Sequence, residues 1–294
     1  MRCRFATYEK KSLMATTTTP SSVPHIQIRS DAGRAPIDLR EILRHRDLLL
    51  TLADRDVRVR YKQTVLGVAW VVLQPLLGSL IFAFVFGVIA HLPSNGRPYI
   101  LFAFAGLMAW DTFSNALTRA SFSLVGNAHM VSKVYFPRLI LPLASVASTL
   151  IDFGASLGLM LVLLALYRVW PGLGLLLLPV WLAILLLMAL GIGLMAAALM
   201  VKYRDISHII PTFLQLGMYV SPVAWSTLVV PKKYQWVFFV NPLSGLLEAF
   251  RWSLLGEGTL PLSALAYSTA TAALVFWFGA IVFKQQERDF ADVI

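Results

Sequence analysis

Few side chains in this sequence are placed for covalent chemistry. No glycine is followed by lysine, so a phosphate-cradling loop with its lysine cannot be built. His25, His45, His91, His129 and His208 are dispersed, and neither His-Glu-x-x-His nor Gly-x-Gly-x-x-Gly occurs. Cys3 is the single cysteine, which leaves no internal disulfide or paired thiol. Two charged features remain. Asp152 stands about 13 residues into the apolar run 139–167, hence about 20 Å along a helix and near its middle. Ser148, Thr149, Gly154 and Ser156 surround it with small polar groups suited to close helix contact. A carboxylate inside a membrane is a functional candidate; a structural hydrogen bond between helices, or a protonated acid, is an equally available reading. The second feature is the cluster Arg58, Arg60, Tyr61 and Lys62, which fits phosphates at a membrane surface or plain anchoring to anionic headgroups.

The elements around these residues are set by hydrophobicity. Of 294 residues, 58% are hydrophobic and 14% charged, against about 25% charged in soluble domains. The nine residues Asp54–Lys62 carry six charges, whereas Thr64–Ala90 carries none. A bilayer centre charges about 2.5–3.5 kcal/mol for each Asp, Lys or Arg, and a span needs about 20 apolar residues. The chain therefore enters a membrane near residue 64. Six spans are predicted, at 64–90, 99–118, 139–167, 173–201, 208–226 and 263–283. Pro75 is placed to kink the first, and Pro211 and Pro222 bracket the fifth.

The expected fold is an all-α integral membrane protein. Residues 1–36, rich in Thr, Ser and Pro, read as a disordered tail, within which Met14 is as good a start as Met1. Residues 37–63 read as a cytoplasmic amphipathic helix on the membrane surface, with Asp38 and Glu41 as a capping box and Ile37 and Ile42 as a staple. Residues 64–284 form the six-span domain and 285–294 a short tail. Between spans five and six, Asn241-Pro242 opens a short outer-leaflet helix that Gly256 ends; Glu248 and Arg251 on it are spaced to pair.

The net charge of +10 does not mark a nucleic-acid binder, because 13 of the 25 basic residues precede residue 64 and most others sit in short connections. With the N-terminus inside, 20 basic residues fall on inner segments and 5 on outer ones, namely Arg97, Arg168, Lys232, Lys233 and Arg251. Both termini are expected in the cytoplasm.

Four stretches in register carry a family resemblance. Arg55-Asp-Val-Arg-Val-Arg-Tyr-Lys-Gln-Thr-Val-Leu-Gly-Val-Ala-Trp-Val-Val-Leu-Gln-Pro75 resembles the opening signature of ABC-2 type permeases that export O-antigen, capsule or teichoic acid. Gly106-Leu-Met-Ala-Trp-Asp-Thr-Phe-Ser-Asn115, Ser132-Lys-Val-Tyr-Phe-Pro-Arg138 and Glu287-Arg-Asp-Phe-Ala-Asp-Val-Ile294 resemble the end of its second span, its cytoplasmic connection and its C-terminus. The resemblance implies a homodimer in the bacterial inner membrane, joined to two copies of a P-loop ABC ATPase. ATP and Mg would be bound by that partner and no cofactor by this chain. Lipid-linked glycan would pass between the two halves.

The resemblance also implies that Ser132, Lys133, Val134, Tyr135, Phe136, Pro137 and Arg138 dock into the ATPase. Apolar bulk rimmed by charge fits an interface, and equally fits membrane-surface anchoring. Trp70, Phe82, Phe86, Phe102, Trp110 and Phe113, with Asp152, are conduit candidates, since aromatic faces let a sugar chain slide; packed or lipid-facing aromatics are the ordinary alternative. An ABC-2 permease for a small molecule or drug, and a membrane-embedded enzyme or scaffold, are the competing functions.

Overall fold

The computed structural model of the chain describes residues 39–62, 69–94, 96–134, 136–225, 233, 240–256, 260, 262–287 and 290. The tail at 1–36, the Asp38 cap, the opening of the first span at 64–68 and Tyr135 lie outside the described residues. Among the described residues all regular structure is helical.

Two helices precede the first span, α1 (Leu39–Arg44) and α2 (Arg46–Tyr61). Helix α3 (Ala69–Phe82) runs through Pro75 and continues as a π-helical segment, Ala83–Ile89. Proline removes one hydrogen bond of the ladder without ending the helix here; neighbours or water can satisfy the freed carbonyl. Helix α4 (Tyr99–Gly126) follows, then the short α5 (Ala128–Lys133), α6 (Ile140–Leu166), a 3₁₀ turn (Leu173–Leu177) leading into α7 (Leu178–Lys202), and α8 (Ile206–Val220). Helix α9 (Pro242–Leu255) and helix α10 (Leu262–Gln286) complete the order.

Helix α4 is the axis of the bundle. Leu101 to Trp110 are all buried, and α4 packs against α3, α6, α7, α8 and α9. The outer helices keep leucines and aromatics on their outer faces, as in Leu77 and Ile81 of α3, Phe84 of the π-helical segment, and Leu274, Trp277 and Phe278 of α10. In a membrane those side chains need no protein partner, because lipid tails are as apolar as leucine. Helices α7 and α10 come together through small residues: a Cβ on Gly279 would lie 2.1 Å from the Gly191 carbonyl oxygen. No larger side chain fits that crossing.

Among the described residues five helical segments are long and apolar enough to cross a membrane: Ala69–Ile89, Tyr99–Gly126, Ile140–Leu166, Leu173–Lys202 and Leu262–Gln286. The fifth predicted span, 208–226, is different. Helix α8 has 15 residues, about 22 Å at 1.5 Å each, which is short of the roughly 30 Å hydrocarbon core. It stops at Ser221, which takes extended backbone because Pro222 follows.

The second span also differs from expectation. It continues for two turns past 118, so residues 119–126 are helix and not polar connection. Arg119 permits this by finding partners inside the protein, as described below. Asp111, expected near water at a span end, therefore lies well inside a 28-residue helix. The helix expected between Asn241 and Gly256 is present: the Asn241 side chain accepts from the Leu243 N–H at 3.0 Å, Pro242 occupies the first turn, and Gly256 leaves it at φ 71°.

Candidate functional site

Helix α2 places two of its last residues against α6. Arg60 Nη1 donates to Asp152 Oδ2 at 2.7 Å. Tyr61 donates its hydroxyl to Asp152 Oδ1, and Arg119 Nη2 of α4 donates to Oδ2. Arg119 also reaches Thr149 Oγ1 at 3.1 Å and Ser148 Oγ at 3.4 Å. One carboxylate, its side chain 7% exposed, thus joins three helices and holds two guanidinium groups. Burial pushes the Tyr61 phenol above its usual range, and the Asp152 hydrogen bond and charge act the same way. The phenol therefore stays protonated and remains a donor.

This corrects the surface reading of α2 in part. Arg60 and Tyr61 face the bundle, whereas Arg58 and Lys62 are exposed, Arg58 pairing with Asp54 at 2.7 Å. Farther back on α2, Arg55 Nη2 donates to Asn127 Oδ1 at 2.7 Å, and Asp56 accepts from Ser145 at 3.4 Å. Polar residues of α2 bolt it to α6 and the α4–α5 corner, while Leu43, Leu50 and Val59 are exposed.

Beside Asp152 a cavity of about 270 Å³ opens between α3, α4 and α6. Trp70, Gln74, Asp111, Asn115, Arg119 and Asp152 are among its lining residues. No hydrogen bond or ion pair is made by Asp111 among the described residues, and its carboxyl borders the cavity. Asp111, Asn115 and Arg119 recur every four residues, one polar stripe on α4. The spacing was legible in the sequence, but ending the span at 118 hid it.

The aromatic candidates separate by burial. Trp70 is exposed and lines the cavity; Phe82 and Phe86 are half-buried, their rings tilted by 52° with centroids 5.6 Å apart. Phe102, Trp110 and Phe113 are enclosed, at 2%, 4% and 1% exposure. Within this chain those three are packing, with no free face to offer a sliding chain.

Arg251 feels the charge of Glu248 and also holds a turn. Its Nη2 donates to the carbonyls of Pro222 at 2.6 Å and Val223 at 2.5 Å, and Nη1 to that of Trp225 at 3.4 Å. The guanidinium carbon stands 4.0 Å from the centre of the Phe102 ring. Tyr99 donates to the Ala224 carbonyl at 2.6 Å. These donors satisfy the carbonyls of the turn at 221–225, which follows α8 without a helix ladder.

At the other end of α4, Ser132, Lys133 and Val134 are exposed at the end of α5, and Pro137 and Arg138 are half-buried. Phe136 is 7% exposed and belongs to the core, so its side chain is not available for docking. Arg138 Nη1 donates to the Glu287 carbonyl, and its guanidinium carbon lies 5.6 Å from the Phe290 ring centre.

Fold and polar groups together define a multi-pass, all-helical membrane protein whose charges lock helices to one another or border a cavity. Comparison with known proteins gives the family. Residues 47–255 match the ABC-2 type transporter family, and the chain belongs to it. Over 262 residues the chain is 30% identical to the O-antigen export system permease protein RfbA of Myxococcus xanthus, covering 87% of this chain and 98% of that one. It is 27% identical over 255 residues to the protein of the same name from Klebsiella pneumoniae, covering 84% and 95%. It is 22% identical over 239 residues to the polysialic acid transport protein KpsM of Escherichia coli, covering 80% and 91%. The chain is thus a transporter component and not an enzyme in its own right.

Proposed function

We propose that the chain is the permease half of an ATP-driven exporter that moves a lipid-linked polysaccharide across the bacterial inner membrane. The observation that carries this reading is end-to-end similarity to proteins named as O-antigen export permeases, reaching 98% of the length of one of them. Two copies of the chain surround the path, and two copies of a separate P-loop ATPase supply the energy. Both termini face the cytoplasm, and α8, together with the turn held by Arg251, completes a sixth crossing. In this arrangement Arg58 and Lys62 meet anionic headgroups beside the exposed Leu50 and Val59, each cation contributing about 1 kcal/mol. Ser132, Lys133, Val134 and Tyr135 meet the ATPase.

The test is co-purification in mild detergent from the native host, with surface polysaccharide measured in parallel. The wild-type chain is expected to bring down a P-loop ATPase. A Val134→Asp, Tyr135→Asp variant is expected to remain folded, lose the ATPase and stop surface polysaccharide. A stable wild-type protein that never recruits an ATPase, or a deletion strain with normal surface glycan, would remove the reading. Loss of drug resistance in place of glycan would move the chain to the small-molecule exporters.

A further inference from the structure

We propose that Arg138 and Phe290 form a latch that makes the α5–α6 connection and the last span move as one body when a partner loads α5. The nature of that load rests on the exporter reading above; the latch rests on contacts within this chain.

The last carbonyls of a helix have no partner in their own ladder, and positive charge is favoured at that end. Glu287 is the first residue beyond α10, and its carbonyl accepts from Arg138 Nη1. Arg138 therefore caps the C-terminus of α10 from a different part of the chain, across 149 residues of sequence. The cap is reinforced from below. Phe290 is 1% exposed, stands edge-on to Phe283 at 5.3 Å, and presents its ring to the Arg138 guanidinium at 5.6 Å. A residue only four places from the end of the chain is thus a core residue.

The connection needs such anchorage. Helix α5 has six residues, too few to be stable alone, and the residues described between Lys133 and Ile140 are not helical. A push on the exposed Ser132, Lys133 and Val134 would be absorbed by so compliant a link. It is instead held at both ends. Arg55 of α2 grips Asn127, whose own amide donates to the Ser123 carbonyl at 2.8 Å, and Arg138 grips the end of α10. Arg138 and Phe290 are positioning residues: they act on the connection and on α10, and through them on transport.

The experiment uses the full chain in its complex. In a Cys3→Ser background, spin labels at His129→Cys and Gln285→Cys, both exposed positions, report the distance from α5 to the end of α10. Wild type is expected to give one narrow distance. Arg138→Gln and the milder Phe290→Leu are expected to broaden it, with Arg138→Lys between. ATPase binding should persist, hydrolysis should stay within about twofold, and surface glycan should fall about tenfold, in the range of a lost coupling contact. Unchanged distances, or wild-type export by Arg138→Gln, would overturn the latch. Loss of the ATPase from the Arg138→Gln complex would overturn it as well, by making Arg138 a docking contact. If wild type recruits no ATPase, the exporter reading fails separately, and the spin-label distances alone decide the latch.

Discussion

Asp152 is the counter-charge for two arginines, and its removal tests what the node is worth. Asp152→Asn leaves Arg119 and Arg60 without their carboxylate. The expected loss is about 2 kcal/mol, below the roughly 3–5 kcal/mol of a fully buried pair because the Arg60 side chain is 30% exposed. Thermal unfolding in detergent measures it. Adding Arg119→Leu to Asp152→Leu removes both buried charges, and the double variant should recover most of the single variant's loss. Equal instability of single and double variants would show that the node does more than balance charge. Gly106→Ala is a second test at this scale. A Cβ there would lie 2.0 Å from the Val223 carbonyl oxygen and 2.6 Å from Arg251 Nη2, so the turn after α8 must move. Destabilisation of about 3 kcal/mol is expected by the same assay, with Gly154→Ala, which meets nothing within 4 Å, as the neutral control.

At the scale of elements, apolar length and punctuation were legible in the sequence, and internal pairing was not. The ends of α6, α7 and α9 fall within a few residues of expectation, because hydropathy, Asn241-Pro242 and Gly256 mark them locally. The end of α4 was missed because Arg119 looks like the first residue in water; only Asp152, 33 residues on, makes it an interior residue. Arg60 and Tyr61 were misplaced for the same reason, since their partner lies more than 90 residues away. Glu248 was legible as a charge beside Arg251 because a helical spacing is visible in sequence; the backbone carbonyls of a distant turn, which Arg251 also holds, are not. The crossing of α7 and α10 supplies the element-scale prediction. Gly279→Val forces the two helices apart at Gly191, and little folded protein should survive detergent extraction, whereas Gly158→Val on α6 should extract normally.

For the whole molecule, the asymmetry of basic residues predicts the proposed orientation, and moving Arg119 into the bundle leaves the expected inner segments in excess. With Cys3→Ser as background, a membrane-impermeant maleimide should label Trp170→Cys, at 83% exposure, in intact spheroplasts. Ser132→Cys should be labelled only after the membrane is opened. The reverse pattern would invert the topology. The Asp152 node also bears on how the chain is made. Arg60 emerges from the ribosome 92 residues before its carboxylate, which at about 5–20 residues per second is a wait of roughly 5–20 s. During that time α2 must rest at the lipid surface with its arginine in water. By the time α6 inserts, Arg60 and Arg119 are both already in place. The acid therefore arrives to waiting partners, and its insertion escapes much of the roughly 2.5–3.5 kcal/mol that a lone aspartate would cost there. The order of synthesis, cations first and anion last, makes α6 easier to insert than its own sequence suggests.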